Sequence, residues 1–199
     1  VPQSPEVFVY HSHNRESWNH VKLEKGLSSP SDDDVNITLV GDRFAQLLRE
    51  LGVAAMTGQE DVADTLKRES LAYGQSYAVS RRAVEEAREA YPSLSYFFDI
   101  HRDANIPREK TTVTIEGASY ARIMFVIGTA HERYEENKAF AEALDGLLDE
   151  RYPGLSRGIL TKGEHQGNGE YNQSVSPGSL LVEIGSENNT LQERLRTAE

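Results

Sequence analysis

Residues 94–101 read LSYFFDIH, and this stretch decides the fold. Its continuous run of aromatic and aliphatic residues has the length of a strand. The run predicts a strand that is buried on both faces, as in the middle of a parallel sheet. The run ends in Asp99-Ile100-His101, so a buried strand carries polar side chains to one edge of the sheet. Sites in open α/β sheets form beyond the carboxyl ends of the strands, which makes this edge the expected place of a functional site.

Strand and helix patterns alternate before and after this stretch. Strands are predicted at 7–11, 53–56, 94–101, 158–161 and 179–185, and helices at 37–51, 76–91, 134–152 and from Thr190 onward. This alternation predicts an α/β fold whose largely parallel sheet is covered by helices on both sides. The segments TTVTIEG (111–117) and YARIMFVIG (120–128) predict a hairpin of two strands, and residues 19–36 predict a polar loop.

The composition limits the classes of function. A chain of 199 residues with 38% hydrophobic and 27% charged residues is typical of one soluble globular domain. Its formal charge of −11 disfavours nucleic acid as a partner, and the absence of cysteine excludes disulfides and cysteine zinc sites. No apolar run approaches the roughly 20 residues that cross a bilayer. Residues 1–6 read as the remnant of a linker before a single domain, 7–199, so any membrane anchor or export signal would lie outside this stretch.

A polar cluster, YHSHNRES (10–17), follows the first predicted strand. The spacing of His13 and Glu16 places an imidazole and a carboxylate close together, and His101 reaches the same edge from the central strand. Catalytic zinc sites commonly use two histidines and one glutamate, and they leave a further position for water. We therefore predict one zinc ion held by His13, Glu16 and His101.

His11 is an alternative to His13 in this prediction. It could be the ligand itself or a neighbour that orients a ligand, because side chains at 11 and 13 share a face if the strand continues. Only His13 stands three residues before Glu16, which is why we favour it. The remaining histidines are interpreted as ordinary surface residues: His20, His131 and His165.

Glu183 lies inside the apolar strand SLLVEIG (179–185). A buried carboxylate is costly unless it has a partner or a raised pKa. One interpretation is a salt bridge to a neighbouring arginine. The other is a general base that takes a proton from zinc-activated water and gives it to the leaving nitrogen.

Several segments together resemble one known family. They are YHSHNRES, LVGDRFAQLL, FFDIHRD, FVIG, YPGLSRGILTKG, YNQ and LLVEIGSENNT, which occur in the family's order from about Val7 to Thr197. The chain resembles the stage II sporulation protein P family, bacterial cell-wall hydrolases related to zinc-dependent N-acetylmuramoyl-L-alanine amidases. The resemblance implies a three-layer α/β/α fold with a mixed, mostly parallel central sheet of about six strands, as in zinc amidases and zinc peptidases, and one Zn²⁺ ion.

The resemblance also implies an activity and a setting. Such enzymes cleave peptidoglycan at the amide between N-acetylmuramic acid and L-alanine of the stem peptide, and family members are understood to cut stem-peptide crosslinks as endopeptidases. They act outside the cytoplasmic membrane, in septal and engulfment wall remodelling during sporulation, and carry an N-terminal membrane anchor in the full-length chain. Their partner is stage II sporulation protein D, which cleaves glycan strands.

Individual roles follow from the matching motifs. LLVEIG implies that Glu183 is the catalytic glutamate, and DIH implies that His101 is a zinc ligand. One position departs from the general amidases, in which a ligand glutamate opens the first long helix, because this chain has Asn36 there. Asparagine is a poor zinc ligand, so Glu16 is the expected carboxylate, as in the His-x-x-Glu motif of zinc carboxypeptidases.

Further residues are candidates for contacting substrate. Arg102, next to a ligand, is a candidate for stabilising an oxyanion or binding a stem-peptide carboxylate. Four others are candidate groove residues: Asn14, Lys162, Asn172 and Gln173. Three other functions remain open: a zinc carboxypeptidase or small-molecule amidohydrolase with the same metal site, a non-catalytic binding module, and a glycosidase that pairs Glu16 with Glu183. The glycosidase interpretation would leave His13 and His101 without a role.

Overall fold

The computed structural model of the protein describes residues 4–199. The predicted linker, 1–6, therefore lies partly outside the described residues. Glu6 is already bonded to the sheet, since its amide donates to the Ala54 carbonyl (2.8 Å) and its carbonyl accepts from the Ser95 amide (3.0 Å). The ordered backbone pairing thus begins one residue before the first strand.

Eight strands and seven α-helices form the described part of the chain. The strands are β1 (Val7–Tyr10), β2 (Ala55–Thr57), β3 (Tyr96–Asp103), β4 (Thr112–Ile115), β5 (Ala118–Ala121), β6 (Ile123–Gly128), β7 (Ser156–Lys162) and β8 (Gly178–Ser186). The helices are α1 (Asn19–Lys25), α2 (Thr38–Glu50), α3 (Val62–Arg68), α4 (Ser76–Ala90), α5 (Arg108–Thr111), α6 (Tyr134–Arg151) and α7 (Leu191–Ala198).

Six strands form the central sheet, in the order β2-β1-β3-β8-β6-β7. Every neighbouring pair is parallel except β6 with β8, so the sheet is mixed and mostly parallel, as predicted. The LSYFFDIH strand, β3, lies between β1 and β8 and is central, which confirms the expectation from its apolar run. The carboxyl ends of β1, β3 and β8 meet at one edge.

Helices cover both faces of the sheet, which confirms the three-layer α/β/α prediction. On one face, α2, α6 and α7 pack on a core that includes Val9, Val40 and Val182. On the other face, α4 packs on Phe8 and Phe97, with α3 beyond it. Because side chains alternate along a strand, Phe97, Asp99 and His101 all face α4.

The predicted hairpin is wrong in its second strand. Residues 120–128 do not form one strand, because the chain leaves the hairpin at Arg122, whose guanidinium donates to the carbonyls of Lys110, Gly154 and Ser156. As a result β5 pairs with β4 in a separate two-stranded sheet, whereas β6 joins the central sheet. The β4–β5 turn has two residues with positive φ, which suits a tight hairpin.

The predicted polar loop, 19–36, is also wrong at its start. It begins with helix α1, which ends at Gly26 in the left-handed conformation (φ 66°). Only Val21 is buried in this helix, so it lacks the apolar stripe by which a helix is recognised in a sequence. Across residues 4–199, none of the helices combines the length and the apolar character that crossing a bilayer requires.

Glycine at position 41 lets α2 lie close to the end of β1. A Cβ atom added to Gly41 would overlap the His11 imidazole. A Cβ atom added to Gly146, on the exposed side of α6, would lie in open space. The two glycines therefore form a matched pair in which only one is required by packing.

We expect Gly41→Ala to lower the free energy of unfolding by about 1–3 kcal/mol, because the methyl group overpacks the buried imidazole. Gly146→Ala should raise it by about 0.5–1 kcal/mol, since alanine loses less backbone entropy in a helix. Urea unfolding of both variants measures the difference. Equal stability of the two would show that His11 can move aside at little cost.

Candidate metal centre and active site

Two histidines and a glutamate converge at the carboxyl edge of the sheet. His13, Glu16 and His101 each offer a ligand atom, and these atoms lie within 4.8 Å of one another. Nδ1 of His13 is 3.2 Å from Glu16 Oε1, and Nδ1 of His101 is 3.5 Å from Glu16 Oε2. The structure thus brings together all three residues that the sequence predicted as ligands.

The chain turn after β1 places His13 and Glu16 at this edge. The strand ends at Tyr10, and the Glu16 amide donates to the His13 carbonyl (3.1 Å), which closes a turn. The Glu16 carboxylate accepts a hydrogen bond from the backbone amide of Arg102 (2.9 Å). The loop after β1 is therefore fastened to the residue that follows His101.

Aromatic rings surround the two imidazoles. Tyr73 stacks on His13 with ring centroids 4.7 Å apart, and Tyr77 stacks on His101 at 6.3 Å. The far nitrogen of His13, Nε2, contacts the Ser76 hydroxyl at 3.0 Å. These three residues of the segment 73–77 could not be recognised from sequence, because nothing in their spacing relates them to a histidine far away in the chain.

His11 and Asn36 lie outside the cluster. The buried His11 ring contacts the Ile100 carbonyl through Nδ1 (2.8 Å) and packs against Gly41 of α2, on the sheet face opposite His101. Asn36 accepts hydrogen bonds from the amide and hydroxyl of Thr38 (3.0 and 2.6 Å), so it caps the start of α2. Of the two histidines that spacing left open, His13 is the one in the group of potential ligands.

The charges of the cluster favour a cation. Burial alone would raise the pKa of Glu16, but His101 and His13 hold it well below its usual range. Burial would lower the pKa of His101, but Asp99 and Glu16 raise it well above the ordinary histidine value. The fully buried carboxylate of Asp99 and the partly buried one of Glu16 therefore flank His101, and positive charge is stabilised at the point where the three ligand atoms meet.

Glu183 lies beside the cluster because of strand register. It pairs with His101 across β3 and β8, and both side chains project to the α4 face. Burial raises the pKa of Glu183 to about 8, with Glu16 acting in the same direction and His101 opposing it. Among residues 4–199, its buried Oε2 has no hydrogen-bond partner. A salt bridge to arginine thus does not occupy this oxygen.

A cleft of about 440 Å³ opens next to the cluster. Its lining includes His13, Glu16, Tyr73, Arg102 and Asn14. The Arg102 guanidinium donates to the carbonyls of Ser17 (2.8 Å) and Pro30 (3.1 Å), so it also holds the rim of the cleft. The Asn14 amide bonds to Asp61 (2.9 Å) and Ala63 (3.1 Å) and fixes the start of α3.

The other three candidate groove residues do not line this cleft. Asn172 is buried and donates to the Tyr77 carbonyl (3.1 Å) and the Ser80 hydroxyl (3.0 Å). Gln173 is buried and bonds the backbone at both Val126 (2.7 Å) and Gly128 (2.9 Å). Lys162 ends β7, and its positive charge opposes the rise in the pKa of Glu183.

The three histidines that the sequence analysis assigned to the surface differ in their exposure. His20 and His165 are exposed, whereas His131 is half-buried. Neither ring nitrogen of His131 has a hydrogen-bond partner among residues 4–199. All three residues lie outside the metal cluster.

Comparisons with known proteins agree with the fold. The structure is similar to the CwlD amidase from Clostridioides difficile, solved in complex with the GerS lipoprotein, with a TM-score of 0.51 and 15% sequence identity. The match covers 97% of this chain and 93% of that one. At this identity the likeness shows the fold alone.

Sequence comparison identifies the family. The chain is 41% identical over 195 residues to stage II sporulation protein P of Bacillus subtilis (strain 168), covering 96% of this chain and 48% of that protein. The chain thus spans about half the length of the relative that it matches. A sequence model of stage II sporulation protein P (SpoIIP) matches residues 2–199. The chain therefore belongs to the stage II sporulation protein P family.

Proposed function

We propose that this chain is a zinc-dependent peptidoglycan hydrolase that cleaves the amide between N-acetylmuramic acid and L-alanine of the stem peptide. One observation carries the proposal: two imidazoles and a carboxylate converge beside a partly buried glutamate, Glu183, whose buried Oε2 has no partner among residues 4–199. Family membership and the likeness to an amidase fold support it.

The residues at the cluster fit a zinc ion. His13, Glu16 and His101 provide the two-histidine, one-carboxylate set that catalytic zinc commonly uses, and all three are at least partly buried. These residues would hold the ion. When bound, zinc would act as a Lewis acid, making water more acidic and polarising the amide carbonyl.

Glu183 has the properties of the proton carrier in this reaction. Its position next to His101 puts its carboxylate beside the ion site, and its Oε2, unpartnered within residues 4–199, can accept a proton. It takes the proton from the attacking water and delivers it to the departing amide nitrogen. A cation nearby would lower its raised pKa, so that the carboxylate is ionised when it acts as a base.

Arg102 contributes a positive charge to the lining of the cleft. Two of its nitrogens hold backbone carbonyls of the rim, which fixes the guanidinium at the edge of the cleft. We propose that this charge attracts a carboxylate of the stem peptide, as one Arg can recognise a carboxylate directionally. Asn14 shapes the same wall by fixing α3.

The wider role is proposed from the family. It comprises cleavage of stem-peptide crosslinks as a second activity, wall remodelling at the septum and during engulfment in sporulation, and an extracytoplasmic location with a membrane anchor in the full-length protein. A glycan-strand-cleaving enzyme like stage II sporulation protein D is the proposed partner. The CwlD amidase, whose fold is similar, was solved in complex with a lipoprotein, which supports the expectation of a protein partner.

We expect Glu16→Ala and His101→Ala each to lose bound zinc, because each removes one of three ligands in a shared cluster. His165→Ala, at an exposed histidine outside the cluster, should keep one zinc per chain. Elemental analysis of protein dialysed against zinc-free buffer measures the stoichiometry. Full zinc content in either ligand variant would contradict the assignment.

We expect Glu183→Gln to keep zinc and to lose about 10²–10⁴-fold in turnover, the usual contribution of a general acid–base group. Mass analysis of fragments released from purified peptidoglycan measures the rate and the bond cut. Release of intact stem peptides would indicate the amidase. Split crosslinks would indicate the endopeptidase, and release of single terminal amino acids would indicate the carboxypeptidase alternative. The exposed Glu164→Gln is the matched control and should leave turnover unchanged. Loss of zinc from Glu183→Gln would instead make Glu183 a ligand.

A further inference from the structure

Asp99 is a fully buried carboxylate that the reaction itself does not use. It lies two residues before His101 on β3, so both side chains face α4. Its Oδ1 is 2.8 Å from Nε2 of His101, in ion-pair contact, while the other ring nitrogen of His101 faces Glu16. Asp99 therefore touches a candidate ligand on the side away from the candidate ion.

We propose that Asp99 is a positioning residue that prepares His101 to bind the metal. The 2.8 Å contact is electrostatic, since Nε2 has no partner with hydrogen-bond geometry among residues 4–199. The charge of the carboxylate favours the proton on that nitrogen, which leaves the lone pair at Nδ1, facing Glu16. A negative partner on the far nitrogen also makes the imidazole a stronger ligand. This inference rests on the proposed metal site and adds a residue to it.

A chain of hydrogen bonds holds Asp99 in place. The Ser12 amide donates to Oδ1 (2.8 Å), and the Ser12 hydroxyl donates to Oδ2 (2.6 Å). The Ser80 hydroxyl of α4 lies 2.7 Å from that of Ser12, and Asn172 donates to Ser80 (3.0 Å). The Asp99 carboxylate is thus fixed behind His101 by three parts of the chain: residues that follow β1, residues of α4 and the loop before β8.

An ordinary core role explains this arrangement less well. A carboxylate with no solvent exposure is costly to bury, and the two donors from Ser12 only compensate part of that cost. Among residues 4–199, its ion-pair contact is with His101, a candidate ligand whose tautomer decides whether a lone pair faces the cluster. A carboxylate beside Nε2 of His101 can therefore favour one tautomer of the imidazole, which a hydrophobic residue at position 99 could not do.

The test is the zinc affinity of Asp99→Asn. The Kd, measured by competition with a chromophoric chelator, should weaken by about 10–100-fold, the usual effect of losing the outer partner of a ligating histidine. Asp103→Asn is the matched control, because it removes the same charge from the same strand. The Asp103 carboxylate pairs with Arg157 (2.9 Å) and not with a candidate ligand. Its Kd should stay within about threefold of the parent protein, because it leaves the outer partner of His101 in place.

The outcomes separate this inference from the proposed function. If the parent protein binds no zinc, the metal site itself fails. If it binds zinc and folded Asp99→Asn binds equally tightly, only the positioning role of Asp99 fails. Urea unfolding of the zinc-free variants checks folding. Should Asp99→Asn not fold, Ser12→Ala removes one donor that holds the carboxylate and should weaken the zinc Kd by about threefold or more; an unchanged Kd there would overturn the inference.

Discussion

The parallel pairing of β3 with β8 sets the chemistry of this protein. It holds His101 and Glu183 side by side on one face of the sheet, at the level where both strands end. A slip of one residue in that register would turn Glu183 to the opposite face, toward α2 and α6. The two apolar residues of β8 before Glu183 oppose this slip, because Leu181 and Val182 are each buried in a different core cluster. Packing of the strand thus decides whether Glu183 stands next to His101.

The second constraint is electrostatic. Glu16, Asp99 and Glu183 place three carboxylates around His101 in a region of low solvent exposure. Asp99 and Glu16 raise the pKa of His101, and burial raises the pKa of Glu183. A divalent ion would supply positive charge among these carboxylates. The negative charge that makes these carboxylates costly to bring together is therefore also the property that would favour a bound metal ion.

Much of the architecture could be predicted from sequence, and the failures have physical reasons. The apolar run before His101 identified β3 as the central strand, and helical periodicity located α2, α4 and α6. Helix α1 and the break at Arg122 escaped prediction because their conformations depend on tertiary contacts, not on a local pattern. For the site, Asp99 could have been found from its i, i+2 relation to His101. Tyr73 could not, since only folding brings it onto His13.

Asn36 shows how one site can be built from different parts of a chain. In the general amidases that this chain resembles, a glutamate at the start of the first long helix is a ligand. Here that position caps α2, and the Glu16 carbonyl accepts a hydrogen bond from the Ile37 amide (2.8 Å), immediately beside it. The loop after β1 therefore runs past the helix start and delivers a carboxylate to the same neighbourhood. In this chain, the loop after β1 places the Glu16 carboxylate where it meets the imidazoles of His13 and His101.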